Sequence, residues 1–175
     1  MLLRNDELNV LRHNLKQYQG DSAKIKDLVL DWLLLAYADG VDDVNRQLSG
    51  EWQPDIDRVQ DVISADVGGM TIDERIDQYI YLEDIEGIAD IVGNERQRVY
   101  NAASYDTATA LKATTKTWHC MMLPTSRDTH IYLDGITKPM DAEFYTFNGN
   151  SAMYPQGFGE PEEDINCLCY LSYGK

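Results

Sequence analysis

The sequence predicts an α+β fold, with a helical N-terminal half followed by a small antiparallel β-sheet core with long loops. Two observations predict it. Apolar residues recur at helical spacing up to about residue 112, and β-branched and aromatic stretches separated by turn signals follow. Of the 175 residues, 43% are hydrophobic, which is enough for a substantial core. We expect a helical N-terminal region over residues 1–70 and an α+β core over residues 71–175.

Two amphipathic stripes predict the first two helices. The first stripe ends before Gly20, and the second begins after an N-cap at Asp21 or Ser22 and is expected to end at Gly40. We expect the aromatic side chains of the second stripe in the core. The apolar positions are Leu8, Leu11, Leu15 and Tyr18, followed by Ile25, Leu28, Val29, Trp32, Leu33, Ala36 and Tyr37.

Further helices are predicted between the stripes and the strands. The segment "PDIDRVQDVISADV" places Pro54 in a first helical turn, where proline is well tolerated. After a "GGM" break, Thr71 with Glu74 three residues later forms a capping box. Gly87 and Gly93 are expected to divide the following segment into two or three helices.

The strands are predicted in the last third of the chain. "TTKTWHCMML" is rich in β-branched and aromatic residues, and "EFYTF" and "CLCYLSY" alternate as short strands do. The segments "LDG", "FNGN" and "PQGFGEP" are turn signals.

The charge is strongly and unevenly acidic. The net charge is −15, and residues 1–95 carry 8 Lys and Arg against 21 Asp and Glu, whereas residues 96–175 carry 7 against 9. Phosphate neutralisation requires Lys and Arg, so the N-terminal half is a poor nucleic-acid surface. Its acidic face is most simply a solvated surface, and the alternative is a docking face for a basic partner.

The sequence also limits location and redox state. No apolar run is long enough to span a bilayer, and the N-terminus lacks a signal-peptide pattern, so we expect no membrane and a cytoplasmic origin. An odd number of cysteines, three, argues against a disulfide framework.

The closing "DINCLCYLSYGK" holds a C-x-C pair that can ligate metal. In a strand, Cys167 and Cys169 point to the same face, and two thiols side by side suit zinc. His130 or His119, together with Cys120, could complete four ligands. The alternative is that both thiols are small buried side chains in the core. The alternative is favoured, because zinc sites more often use C-x-x-C spacing.

The segment "TSRDTH" brings together Arg127, Asp128 and His130 as candidate binding residues. Arg127 and His130 could act as a phosphate-binding and acid–base pair. The alternative is a structural hydrogen-bond network that ties a long loop to the sheet, and it is favoured because no second catalytic partner is evident. The phosphate-cradling, dinucleotide-binding, nucleophile-elbow and H-E-x-x-H motifs are all absent, so we expect no enzyme.

The last hundred residues carry a family resemblance. "KTWHCMMLPTSRDTHIYLDG", "EFYTFNGNSAMYPQGF" and "INCLCY" resemble the C-terminal core of phage head-morphogenesis proteins, the minor head proteins similar to phage Mu F. The resemblance covers roughly residues 72–175. It falls on Trp118, Arg127, Asp128, His130, Leu133, Asp134, Gly135, Phe144, Pro155, Gly157, Asn166, Cys167 and Cys169, with Arg98 and Asn101 matching the preceding helix.

The resemblance implies a ligand set for zinc. Some members have C-x-x-C where this chain has "RDTH", which with the terminal C-x-C would make a zinc-knuckle-like cluster. In this chain His130 takes the second ligand position and Arg127, which cannot ligate zinc, replaces the first. The remaining candidates are His130, Cys167 and Cys169, with Cys120 able to close the set.

The resemblance also implies a function. Similar proteins are minor head or minor capsid proteins that associate with portal protein, major capsid protein or packaged DNA. We therefore expect a structural protein of the virion, in the head interior or portal region, with no small-molecule substrate. The acidic helical half would dock and the β core would anchor. Because the implied core, helices followed by a four-stranded antiparallel meander, is similar to small nuclease and toxin folds, the alternative is a nuclease-like enzyme using His130 and Arg127.

Overall fold

The computed structural model describes residues 5–175 and confirms the α+β fold. Residues 1–4, on which the expectation about a signal peptide partly rests, lie outside the described residues. Over residues 5–175, no helix is both long and apolar enough to cross a membrane. The helices are α1 (Asn5–Gln17), α2 (Ser22–Leu48), α3 (Ile56–Ile63), α4 (Ile72–Tyr81), α5 (Ile85–Ala110), α6 (Asp128–Leu133) and α7 (Pro161–Asp164). The strands are β1 (Thr115–His119), β2 (Thr137–Pro139), β3 (Phe144–Tyr145), β4 (Ser151–Ala152) and β5 (Tyr170–Gly174).

Two long helices, α2 and α5, form the centre of the helical half. They run in the same direction, since residues later in α2 contact residues later in α5. Near one end, the guanidinium of Arg96 lies 4.9 Å from the ring centroid of Trp32. Further along, the hydroxyl of Tyr100 donates a hydrogen bond to Asp43 at 2.8 Å.

The two helices approach most closely at Gly40, where the sequence predicted that α2 would end. A Cβ atom at this position would lie 2.6 Å from the carbonyl oxygen of Tyr100 and 3.0 Å from the Cβ of Ala103. The prediction was wrong because this glycine provides room for a neighbouring helix and is no stop signal. The helix continues to Leu48, and Ser49 ends it in the left-handed conformation, with φ of 51°.

The segment after residue 70 is divided into two helices, but the division does not fall at its glycines. The predicted capping box is confirmed at α4, where Thr71 and Glu74 each accept a hydrogen bond from the other's backbone N–H. The break falls just before Asp84, whose side chain caps α5 by accepting from the N–H of Gly87 at 2.9 Å. Gly87 and Gly93 both lie inside α5, because an Asx-type cap sets the start of a helix more directly than a glycine.

A buried carboxylate ties α4 to α5. Glu95 is completely buried, and its two oxygens contact Arg75 Nη1 at 2.8 Å and Arg98 Nε at 2.7 Å. Arg98 also donates to the carbonyl oxygen of Ile63, at the end of α3, at 3.3 Å. Burial alone would raise the pKa of Glu95, but the charges and hydrogen bonds of the two arginines outweigh it and lower the pKa.

The main sheet has three strands in the order β2-β1-β5, and β3 and β4 form a separate two-stranded sheet. All described pairs are antiparallel. The four-stranded meander implied by the resemblance is therefore wrong, because the last strand returns to pair with the first. On the outer edge of β5, the backbone N–H of Tyr173 donates to Gln47 Oε1 of α2 at 3.0 Å.

The strand predictions for this half are confirmed in part. The short strand predicted in "EFYTF" is present as the two residues of β3, and the "TSRDTH" segment, for which the sequence predicted no helix, enters the short helix α6. Cys167 and Cys169 lie just before β5 rather than inside it, because Tyr170 is the first residue that pairs with β1.

Buried apolar side chains form two clusters. The first cluster contains residues of helices α1 through α5 and therefore draws on both sides of residue 70. The predicted boundary between residues 1–70 and 71–175 stays a prediction. The second joins the ends of α2 and α5 to the sheet around Trp118, which is fully buried.

One lysine, Lys116 of β1, is also fully buried. Its Nζ donates a hydrogen bond to the Met153 carbonyl oxygen at 2.8 Å and lies 4.9 Å from the ring centroid of Tyr105. Burial lowers the pKa of Lys116 to about 8.

Candidate metal centre

Three of the predicted ligand side chains converge in the structure. The Nδ1 atom of His130, on α6, lies 3.4 Å from the Sγ of Cys167 and 3.5 Å from the Sγ of Cys169. The ligand atoms of all three residues lie within 4.8 Å of one another, and all three side chains are buried. Among residues 7–175, whose side chains the structure describes, these three form the one group of His, Cys, Asp and Glu residues close enough together to hold a metal ion.

Helix α6 and two aromatic rings fix His130. The backbone N–H of His130 donates to the carbonyl of Arg127 at 3.0 Å, which starts the helical turn. The ring of Phe158 stacks on the imidazole with a centroid distance of 5.7 Å, and the indole of Trp118 meets it edge-on at 5.8 Å. The imidazole is therefore held in a dry, aromatic environment, with an exposed fraction of 2%.

Helix α5 holds the cysteine segment through one polar face. The side-chain amides of Gln97 and Asn101 both donate to the carbonyl oxygen of Cys169, at 3.2 and 3.1 Å. One turn earlier, the side-chain oxygen of Asn94 accepts from the backbone N–H of Asn166 at 2.7 Å. Positions 94, 97 and 101 share a helix face, so a rigid helix sets the position of the chain on either side of Cys167.

A buried carboxylate stands on the other side of the imidazole. His130 Nε2 lies 3.1 Å from an oxygen of Glu163, although its N–H direction is not aligned for a hydrogen bond. Glu163 has an exposed fraction of 2%, and it accepts hydrogen bonds from Thr129 at 2.9 Å and from Asn150 at 3.1 Å. The carboxylate is therefore fixed where it can orient the ring and favour a proton on Nε2, which leaves the Nδ1 lone pair toward the sulfurs.

The two thiols differ in their ionisation. A hydrogen bond from the Cys169 thiol lowers the pKa of Cys167 below its ordinary value, against the effect of burial. The same interaction, together with burial, raises the pKa of Cys169 above its ordinary value. The indole N–H of Trp118, which has no partner of ordinary hydrogen-bond geometry, acts on Cys169 and favours its charged form.

A small pocket borders the group. Its volume of about 30 Å³ has room for an ion and a water molecule but not for an organic cofactor. Cys120 and Arg127 line the pocket together with the three converging residues. The thiol of Cys120 lies outside the group of ligand atoms, and its backbone N–H donates to Asp134 at 2.8 Å.

The remaining candidate residues are placed elsewhere. The guanidinium of Arg127 donates to the carbonyl oxygen of Ile165 and ties α6 to the segment after α7. Asp128 is exposed at the start of α6. His119, an alternative ligand in the sequence analysis, contacts Ser172 Oγ at 2.7 Å and takes no part in the group.

Sequence reasoning missed several residues that build this site. Glu163 stands in an acidic "EPEED" run that looks like solvated surface, and Asn94 and Gln97 look like ordinary polar positions of a helix. The usable signal was the spacing of Asn94, Gln97 and Asn101, which places three amide side chains on one face of the helix. Nothing in the sequence marks Glu163, because its burial depends on α6 and α7 packing together.

The family comparison bears on these same residues. A family model described as Phage Mu protein F like protein matches residues 58–172, which is more than half of the chain. The chain belongs to this family. The Mu F-like match includes all three converging residues and the face of α5 that holds them. The family is one of phage head morphogenesis, as the sequence resemblance implied. Comparisons with curated proteins and with solved structures gave no match.

Proposed function

We propose that this Mu F-like protein is a minor component of a tailed-phage head that associates with portal protein, with major capsid protein or with both. The family match over residues 58–172 carries the proposal. A role in head morphogenesis supports a place in the virion, in the head interior or near the portal, after assembly in the host cytoplasm. Packaged DNA is the weaker candidate partner, because a net charge of −15 opposes contact with phosphates.

The site geometry does not favour the nuclease alternative. A general acid or base must come within hydrogen-bond reach of its substrate. His130 is 2% exposed and enclosed by aromatic rings, and the guanidinium of Arg127 is engaged with a backbone carbonyl. Neither side chain is therefore presented to a polynucleotide. The group fits a role in stabilising the fold better than a role in turnover.

The outer face of α2 supports a binding role for the acidic half. Leu30, Leu34 and Leu35 are 45%, 37% and 59% exposed, and Asp27 and Asp31 are exposed beside them. Exposed leucines flanked by carboxylates suit an interface in which apolar contacts give affinity and charge selects a basic partner. We therefore assign the docking surface to this face, defined by these five residues and called the α2 face.

Quantitative mass spectrometry of purified virions from the source phage tests the proposal. The expected result is a small, fixed number of copies relative to the major capsid protein. A matching binding assay uses purified portal oligomer and purified capsid protein, followed by sedimentation. Absence from virions, together with no binding to either protein, would overturn the proposal.

The assignment of the α2 face has its own test. The double substitution Leu34→Asp and Leu35→Asp should abolish binding to the portal or capsid protein while the far-ultraviolet circular dichroism spectrum stays unchanged. Tyr132→Asp is the matched control, because Tyr132 is 56% exposed but lies on α6. If the control abolishes binding and the double variant does not, the docking surface lies on the β core instead.

A further inference from the structure

We propose that this chain binds one zinc ion through Nδ1 of His130 and the sulfurs of Cys167 and Cys169, and that the ion fastens the segment before β5 to α6. The inference is independent of the head-assembly role, because it concerns what holds the β core together.

The distances already match those of a metal-bound set. Zinc lies about 2.0–2.1 Å from a histidine nitrogen and about 2.3 Å from a thiolate sulfur, so a tetrahedral site separates nitrogen and sulfur by roughly 3.5–3.6 Å. The separations from His130 Nδ1 are 3.4 Å to Cys167 and 3.5 Å to Cys169. The two nitrogen–sulfur separations therefore match those of a tetrahedral zinc site, and the ligand atoms all lie within 4.8 Å of one another.

The surroundings of the ligands match those of a zinc site. A histidine that ligates metal commonly directs its other ring nitrogen toward a carboxylate, which orients the ring. Here His130 Nε2 lies 3.1 Å from the buried Glu163. The indole N–H of Trp118 is likewise buried without a partner of ordinary hydrogen-bond geometry, and it interacts with the Cys169 thiol. With the sulfurs as zinc-bound thiolates, the N–H of Trp118 faces a negatively charged acceptor and the carboxylate of Glu163 orients the ligating ring of His130.

The charges of the site favour a dication. A zinc ion with two thiolates is neutral, and the carboxylate of Glu163 adds one negative charge. Arg127 lines the same pocket and adds a positive charge there, opposite in sign to that carboxylate. Without the ion, the same volume would bury thiols, an imidazole and a carboxylate with fewer compensating contacts.

The fourth coordination position opens on the small pocket. Its volume of about 30 Å³ accommodates a water molecule as the fourth ligand. Cys120 lines the pocket but does not reach the ligand group. We therefore assign three protein ligands, and Cys120 becomes a matched control: a thiol at the same pocket that is not expected to bind zinc.

The first test measures zinc by inductively coupled plasma mass spectrometry in protein that was purified with zinc present and then dialysed. The wild type and Cys120→Ser should each retain one zinc per chain, whereas Cys167→Ser and Cys169→Ser should retain none. Wild-type protein that retains no zinc would overturn the proposal. Loss of zinc in Cys120→Ser would overturn the three-ligand assignment.

Two further measurements use the wild-type chain alone, so that they do not depend on the folding of Cys167→Ser. A strong chelator should remove the zinc and lower the melting temperature, and added zinc should restore it. Cobalt substituted for zinc should show thiolate-to-metal charge-transfer absorption and strong visible bands of a tetrahedral site. A melting temperature insensitive to chelation, or cobalt without thiolate bands, would overturn the proposal.

Glu163 is a positioning residue in this proposal. Glu163→Gln should weaken zinc affinity by about 10–100-fold, as loss of such a carboxylate does elsewhere, measured by competition with a chromophoric chelator. Glu162→Gln, at the exposed neighbouring carboxylate, is the control and should leave the affinity unchanged. Equal affinities in the two variants would show that Glu163 has no role in metal binding.

Discussion

Replacing Glu95 with glutamine should remove a large part of the stability of the helical half. Glu95 is fully buried between Arg75 and Arg98, whose side chains are 17% and 10% exposed. Glutamine keeps the volume but leaves two guanidinium groups with one acceptor oxygen and no negative charge. Removing one partner of a buried ion pair typically costs about 3–5 kcal/mol. Domains are stable by about 5–15 kcal/mol, so the variant should be close to marginal.

Urea unfolding followed by circular dichroism measures this loss as a lower midpoint at an unchanged m-value. Glu86→Gln is the matched control, because Glu86 lies on the same helix and pairs with Arg12 where its side chain is 54% exposed. An exposed pair contributes about 0–1 kcal/mol. The pKa of Glu95 is lowered in the folded state, so the wild-type advantage is present above the ordinary value of 4.5 and shrinks as the pH falls below it. A loss in Glu95→Gln no larger than that in Glu86→Gln would refute the reasoning.

Three further predictions follow from the fold. Gly40→Ala should lower the free energy of unfolding in urea by about 1–3 kcal/mol, because the new Cβ would lie 2.6 Å from the Tyr100 carbonyl oxygen. An unchanged midpoint would mean that α2 and α5 separate freely. Thr71→Ala should cost about 1 kcal/mol by thermal unfolding through loss of the capping box, and a Ser replacement should restore it. The pKa of Lys116 is about 8 in the folded protein against 10.5 when unfolded. From pH 7 to pH 10 the free energy of unfolding of the wild type should therefore rise by about 2 kcal/mol relative to that of Lys116→Met. A free energy of unfolding that depends on pH in the same way in both proteins would contradict this.

The sequence predicted helices where a single apolar stripe decides the structure. The stripe of α2 and the capping box of α4 depend on residues within a few turns of one another, and both are confirmed. The end of α2 was misplaced because Gly40 makes room for α5, which follows about sixty residues later in the sequence. A single sequence contains no direct record of that contact.

The candidate site was predictable in its ligands but not in its surroundings. His130, Cys167 and Cys169 could be proposed from residue chemistry together with the family resemblance, and the structure brings them together. Their use in metal binding stays a prediction. Glu163 could not be found, because a carboxylate in an acidic run is ordinarily solvated and only the packing of α6 against α7 buries it. Cys120 could not be set aside either, since its distance from the group depends on how the loop after β1 turns.

The hydrogen bond from the backbone of Tyr173 to Gln47 limits how this protein can join an assembly. An uncovered outer strand can recruit an extended segment of another protein through its free main-chain donors. On β5 the donor at Tyr173 is already taken by the side chain of Gln47, and the end of α2 packs beside it. Extension of the sheet by a foreign strand is thereby blocked along this edge. Recognition of a partner on this side of the sheet is therefore left to side chains, which distinguish one partner from another better than main-chain groups do.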